Sequence, residues 1–143
     1  MQTVTKALLI PLNQFGEILI QDRENYKPPR WGYFGGSVEE GETVLDALIR
    51  ETQEELAVDI SNDEIIELGV FKDQKLDKEI NRHAYILIVD KNNWQYKVQE
   101  AKGAKWVKPK TMTDLMREFS GIADVAIANK VASYLRANDP VIG

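Results

Sequence analysis

Residues 36–58 read GSVEEGETVLDALIRETQEELAV, a glycine-led segment that runs into an acidic helix. A helix turns by about 100° per residue, so Glu51, Glu54 and Glu55 fall within one arc of about 100°. Like charges spaced three and four residues apart repel one another, and a cation on that face would offset the repulsion. Hard carboxylate oxygens suit Mg²⁺ or Mn²⁺. The segment therefore predicts a divalent-metal site, with a merely solvated acidic face as the alternative.

The apolar residues of the same segment predict which side of the helix meets the core. They form a separate stripe, made of Leu45, Leu48, Ile49, Thr52 and Leu56. Ala47 is the small residue one turn before Glu51, on the carboxylate side. Thr43, followed three residues later by Asp46, predicts a capping box that opens the helix.

The fixed positions of this segment resemble the box of the Nudix hydrolases, G-x5-E-x7-R-E-U-x-E-E-x-G-U, where U is bulky and apolar. The matching positions are Gly36, Glu42, Arg50, Glu51, Glu54, Glu55 and Val58. Two positions depart: Thr52 stands where an apolar residue is usual, and Ala57 replaces the last glycine. That glycine suits a left-handed residue closing the helix, a conformation that costs alanine about 1–2 kcal/mol. The departures therefore concern the core stripe and the helix terminus, not the carboxylates.

The resemblance implies a mixed β-sheet sandwiched between α-helices. It implies hydrolysis of a nucleoside diphosphate linked to another group, with Mg²⁺ as the cofactor and Mn²⁺ as an alternative. The implied metal ligands are Glu51, Glu54, Glu55 and the Gly36 carbonyl. A small nucleotide is then the substrate, and a homodimer is one assembly found in the family.

Positioning roles and candidates for the general base also follow from the resemblance. Arg50 is expected to orient a box carboxylate through a charge-assisted bond. Glu42 is expected to hold the loop against the helix. The general base is either a box glutamate, Glu54 being the first candidate, or a glutamate from a later loop, for which Glu100 is the second candidate. A solvated loop carboxylate is the plainer interpretation of Glu100.

Three residues before the box are candidates for substrate binding. Arg23 follows the second predicted strand and is placed to reach phosphates, although charged loop residues are usually solvated. Trp31 and Tyr33 precede the glycines and offer rings on which a base could stack. Buried aromatic packing is the alternative for both.

Composition limits the remaining function classes. The 143 residues predict one domain spanning positions 1–143, and 43% of them are apolar, as in a globular protein. The absence of cysteine excludes disulfides and thiolate sites, and a single histidine, His83, excludes a multi-histidine zinc site. The start of the chain has no secretion signal and no apolar run is long enough to cross a membrane, which predicts a soluble cytoplasmic protein. A net charge of −5 disfavours a large nucleic-acid-binding surface.

The order of patterned segments predicts an α/β or α+β domain. Predicted strands lie at 4–12 and 16–21, forming a hairpin, then at 65–72, 84–89 and 104–107. Residues 31–34 are expected to lead into a turn at Gly35-Gly36. A helix is expected from about Thr113, and a closing helix over 122–136.

Substrate choice lies outside the box. Asp73 stands where ADP-ribose-type members often carry a proline, and Lys75 and Leu76 where dinucleoside-polyphosphate-type members often carry a tyrosine. These absences leave nucleoside triphosphates, including damaged ones, as the leading class, with nucleotide sugars next. A non-catalytic nucleotide sensor is the alternative function. A P-loop is rejected because the Gly-Lys-Ser/Thr ending is absent.

Overall fold

The computed structural model describes residues 2–23, 30–116 and 122–138, and these form seven strands and three helices. The strands are β1 (Gln2–Leu12), β2 (Ile18–Arg23), β3 (Arg30–Gly32), β4 (Phe34–Ser37), β5 (Ile66–Lys75), β6 (Lys78–Ile88) and β7 (Ala104–Val107). The helices are α1 (Val44–Leu56), α2 (Pro109–Met116) and α3 (Ile122–Asn138). The predicted mixed α+β class is confirmed.

All seven strands belong to one mixed sheet built around β1. The order is β3-β2-β1-β6-β5, with β4 also paired to β1 and β7 also paired to β2. The β1–β6 pair is parallel over its whole length, and the other pairs are antiparallel. Parallel strands at the centre require burial on both faces, which explains the unbroken apolar run ALLIPL in β1.

Helices cover the two faces of this sheet and bury two apolar layers. Side chains alternate across a strand, so Ala7 and Leu9 of β1 pack with α1 while Leu8 and Ile10 belong to the layer under α3. The first layer also contains Leu48 of α1. The carboxylate-bearing helix is thereby fixed to the strands that carry the glycines.

The structure confirms the predicted start of α1 and shows how the helix ends at Ala57, where either strain or a different ending was possible. Thr43 Oγ1 accepts the Asp46 N–H at 3.0 Å and the Asp46 carboxylate accepts the Thr43 N–H at 3.1 Å, which is the predicted capping box. At the other end Ala57 adopts the left-handed conformation, with φ 56° and ψ 38°. The alanine thus takes the conformation that the family's glycine would take with less strain.

The predicted core stripe of α1 is wrong at one position. Leu45 is 48% exposed, whereas Ala47 and Glu55, which the helical pattern put on the carboxylate side, are buried. The small residue Ala47 instead packs against the sheet, in the layer that contains Ala7 and Leu9 of β1. Thr52 is buried as expected, at 1% exposure.

Other element boundaries also differ from the expectations. Gly35 and Gly36 do not form a turn: they lie within β4, opposite Leu8 and Ala7 of β1. The helix expected from about Thr113 begins at Pro109. The strands expected at 65–72 and 84–89 are longer, because β5 and β6 form one antiparallel hairpin that closes at residues 76–77.

Candidate active site

Two adjacent glycines let α1 approach the sheet closely. Gly35 has φ 132°, and a Cβ there would lie 2.0 Å from the Ala7 carbonyl oxygen. A Cβ on Gly36 would lie 2.4 Å from Glu51 Oε1 and 2.5 Å from its Cδ. Both distances are too short for a side chain of any size, so the first glycine is required by the sheet and the second by the Glu51 carboxylate.

Glu55 turns its carboxylate into the sheet and is only 7% exposed. Its Oε2 accepts the Gly35 N–H at 2.8 Å, and its Oε1 accepts Gln21 Nε2 at 3.2 Å. Burial raises the pKa of Glu55 to about 7, a rise that the two hydrogen bonds oppose and the Glu51 and Glu100 carboxylates reinforce. A cation beside this group would favour its ionised form.

Arg50 joins the helix to the loop before it and contacts two further box carboxylates. Its Nε and Nη2 donate to the two oxygens of Glu42 at 2.8 and 3.0 Å, and Nη2 also donates to the Ser37 carbonyl at 3.1 Å. Its Nη1 donates to Glu51 Oε1 at 3.0 Å and lies 3.5 Å from Glu54 Oε2. This arrangement has the geometry of the predicted orienting role, because a planar fork fixes direction as well as charge.

Glu42 fastens the loop that precedes α1. It accepts the Glu39 N–H at 2.9 Å in addition to the Arg50 fork. The hydrogen bond from Arg50 is the main reason that the pKa of Glu42 is lowered to about 2. Glu42 thus stays ionised and holds Arg50 at the start of the carboxylate face.

The donor set of this face suits a hard cation, but the carboxylates are occupied by other partners. Glu51 and Glu54 contact Arg50, while Glu55 accepts the Gly35 N–H. Accordingly, no group of three Asp, Glu, His or Cys side chains within the described residues has metal-holding geometry. Gly36 has no side chain, so the Glu51 carboxylate can lie against the backbone of β4; a Cβ at Gly36 would be 2.4 Å from Glu51 Oε1. Arg50 contacts Oε1 of Glu51 and Oε2 of Glu54, and each carboxylate has a second oxygen that can bind a cation, so the donor set fits Mg²⁺ or Mn²⁺.

Glu100 comes from a loop that is distant from the box in the sequence and whose backbone contacts the end of α1. Its carboxylate contributes to raising the pKa values of Glu51 and Glu55, although desolvation is the larger cause for both. The side chain of Glu100 is exposed. The Gln99 N–H, from the residue before Glu100, donates to the Glu55 carbonyl at 2.9 Å, so the backbone next to the second candidate base is joined to α1.

The three predicted substrate-binding residues have different positions. Tyr33 is buried, and its hydroxyl donates to the Asp124 carbonyl of α3 at 2.9 Å, which agrees with the packing alternative. Trp31 is half-buried, and the Lys105 ammonium lies 4.1 Å from the centre of its ring. The side chain of Arg23 lies outside the described residues.

Gln21 is a site residue that the motif analysis missed. It is buried and donates both to Glu55 and to the Tyr33 carbonyl. The signal was present in the alternation of β2, because Gln21 shares its face with the buried Leu19. A polar residue at a buried position of a strand requires a polar partner.

Comparisons with known proteins show which sequences and structures this chain is similar to. The sequence profile described as the NUDIX domain matches residues 2–125. A Bacillus subtilis (strain 168) protein described as a proposed 8-oxo-dGTP diphosphatase is 28% identical over 142 residues, covering 93% of this chain and 91% of the relative.

Two solved structures share the fold at lower identity. The E. coli ORF135 protein gives a TM-score of 0.74 at 21% identity, covering 99% of this chain and 96% of its own. The E. coli dihydroneopterin triphosphate pyrophosphohydrolase gives a TM-score of 0.74 at 22% identity, covering 90% of this chain and 95% of its own. Among the described residues no helix is both long and apolar enough to cross a membrane.

Proposed function

Since this chain belongs to the Nudix family of hydrolases, we propose that it hydrolyses a pyrophosphate bond of a nucleoside triphosphate, including oxidatively damaged ones. A nucleotide sugar is the next candidate substrate. The observation that carries the proposal is the carboxylate face of α1, where all three glutamates of the box, Glu51, Glu54 and Glu55, are present. The Bacillus subtilis relative supports the choice of a triphosphate, since its described substrate is 8-oxo-dGTP.

The proposed cofactor is Mg²⁺, with Mn²⁺ as an alternative, held by Glu51, Glu54, Glu55 and the Gly36 carbonyl. When bound, the ion would supply charge neutralisation at the phosphates and activation of a water molecule. The chain's net charge of −5 supports this role, because an anionic substrate approaches acidic residues only when a cation lies between them.

The residues around the proposed metal ligands have distinct tasks. Arg50 keeps the carboxylates oriented through its contacts with Glu51 and Glu54. Glu54 is the first candidate for the general base, since its side chain is 47% exposed and can accept a proton from solvent water. Glu100 is the second candidate. Arg23 and Trp31 are proposed to contact phosphate and base, respectively.

A nucleotide panel tests the activity directly. The panel contains normal and oxidised nucleoside triphosphates, nucleotide sugars, ADP-ribose and dinucleoside polyphosphates, each assayed for phosphate or pyrophosphate release with Mg²⁺, with Mn²⁺ and with chelator. The proposal expects metal-dependent release from a triphosphate and loss of turnover by at least about tenfold in Glu54→Gln. Silence across the panel, with thermal stabilisation by a nucleotide, would instead identify a non-catalytic sensor.

We further propose a domain extent, a cellular location and an assembly for this protein. The profile match over residues 2–125 supports a single catalytic domain spanning positions 1–143. A cytoplasmic location and a small-molecule partner follow from the proposed nucleotide substrate. Sedimentation of the purified protein would test the homodimer implied by the family.

A further inference from the structure

Residues 94–99, which we term the 94–99 segment, lie along the C-terminal end of α1. The Lys97 N–H donates to the Leu56 carbonyl at 2.8 Å, and the Gln99 N–H donates to the Glu55 carbonyl at 2.9 Å. The last carbonyls of a helix have no partner within the helix, so these two bonds satisfy groups that would otherwise need water. The segment is therefore attached by its backbone to the helix that carries the box carboxylates.

Aromatic side chains fix the same segment to the sheet. Trp94 stacks on Tyr96 with ring centres 4.7 Å apart, and both rings meet Trp106 of β7 edge-on at 6.3 and 6.4 Å. Trp94, Tyr96 and Val98 pack against the apolar layer under α1, whereas Lys97 and Gln99 have exposed side chains. This alternation leaves the N–H groups of Lys97 and Gln99 facing the helix.

The segment ends immediately before Glu100. The Gln99 N–H donates to the Glu55 carbonyl, and Glu100 is the next residue. One hydrogen bond therefore joins the backbone at Glu55 to the residue directly before Glu100. We infer that the 94–99 segment is a positioning element, which holds Glu100 beside the catalytic carboxylates by docking on the end of α1. Glu100 then approaches the box carboxylates from the loop between β6 and β7, which is distant from the box in the sequence.

This inference rests on the proposed function and adds a positioning role for residues that carry no reactive group. A loop with exposed charge would otherwise sample many conformations, and a misplacement of about 1 Å at a catalytic group can cost about a hundredfold in rate. The helix end removes that freedom, since both contacts involve the backbone and do not depend on a long side chain.

A proline substitution removes one of the two bonds selectively. Gln99→Pro lacks the N–H that reaches Glu55, and Gln99→Ala is the matched control because it keeps the N–H and changes only an exposed side chain. Activity is measured on the nucleotide of the panel above that the wild-type enzyme cleaves fastest. We expect kcat of Gln99→Pro to fall by about tenfold or more, with KM changed by less than about twofold, and Gln99→Ala to remain within about twofold of the wild type.

A double-mutant cycle separates positioning of Glu100 from a general structural role. Glu100→Gln is expected to lower kcat by about a hundredfold. If the segment acts through Glu100, adding Gln99→Pro to Glu100→Gln causes no further loss beyond about twofold, because residues acting as a unit are non-additive. Additive losses, or a Glu100→Gln enzyme within threefold of the wild type, would overturn the inference.

A second pair of variants covers the case in which Gln99→Pro does not fold. Trp94→Ala removes the stacked ring, whereas Trp94→Phe retains an aromatic ring and should restore kcat. The same cycle with Glu100→Gln applies to Trp94→Ala.

In the wild type, slow hydrogen exchange at the Lys97 and Gln99 amides is expected, and exchange at free-loop rates would overturn the docking itself. A wild-type enzyme that is silent on the whole panel would refute the proposed function, whereas an active enzyme with an additive cycle would refute only the positioning role.

Discussion

Gly35 and Gly36 are neighbours in β4, yet alanine substitutions at the two positions should damage the protein in different ways. At Gly35 a Cβ would lie 2.0 Å from the Ala7 carbonyl oxygen and the backbone would keep φ 132°. Backbone strain of about 1–3 kcal/mol adds to overpacking of about 1–3 kcal/mol, so Gly35→Ala should lose about 4 kcal/mol of stability. For a chain of this length the melting temperature should fall by roughly 13 °C.

At Gly36 the obstacle is a side chain and not the backbone. The Cβ would lie 2.4 Å from Glu51 Oε1, so the carboxylate must shift by about 1 Å to reach ordinary contact distance. Such a shift also breaks its 3.0 Å bond with Arg50. A displacement of about 1 Å at a catalytic group costs about a hundredfold, or about 2.7 kcal/mol of transition-state stabilisation. Since no strand contact is lost, Gly36→Ala should change stability by less than about 1 kcal/mol.

Two assays on three variants test whether Gly35→Ala lowers stability and Gly36→Ala lowers activity. Thermal unfolding monitored by circular dichroism gives the stability, and Mg²⁺-dependent turnover of the best nucleotide in the panel gives kcat/KM. Gly103→Ala is the control, because a Cβ there meets nothing within 4 Å and should alter neither quantity. Gly36→Ala with kcat/KM within threefold of the wild type would show that Glu51 need not occupy its observed position. Equal destabilisation of Gly35→Ala and Gly36→Ala would show that the steric distinction is wrong.

Three further substitutions have definite expected outcomes. Ala57→Gly relieves the left-handed strain at the end of α1 and should raise stability by about 0.5–1 kcal/mol, seen as a melting temperature higher by roughly 2–3 °C; a decrease would contradict the cap assignment. Arg50→Lys loses the fork that holds Glu42 and should lower kcat by about tenfold in the turnover assay, whereas unchanged kcat would mean that charge alone suffices. Tyr33→Phe removes the hydrogen bond to the Asp124 carbonyl and should cost about 1 kcal/mol in denaturant unfolding with KM unchanged. A large rise in KM for Tyr33→Phe would restore its substrate-binding role.

The sequence predicted α1 almost completely because its determinants are local. Thr43 and Asp46 act on one another within a single turn, and the end at Ala57 is a property of one residue's backbone. The shared arc of Glu51, Glu54 and Glu55 follows from helical geometry alone. Such features need no knowledge of the rest of the chain.

The sequence was less informative about β4 and the rotation of α1. A Gly-Gly pair usually indicates a turn, and here pairing with β1 keeps both glycines in a strand. The helical pattern assigned Leu45 to the core, but Leu45 is 48% exposed and Ala47 is buried. Periodicity gives the spacing of the two faces, whereas the contact between helix and sheet selects the angle at which they meet.

By itself, then, the sequence determined the mixed fold class, the family, the acidic helix and the capping box that opens it. Only the tertiary structure decided that Glu55 points inward to Gly35 and Gln21, and that the loop ending at Glu100 docks on the far end of the same helix. The physical reason is the range of the interactions. Capping and helical periodicity act within a few residues, but the direction of a buried carboxylate and the position of a loop depend on hydrogen-bond partners that are distant in the chain.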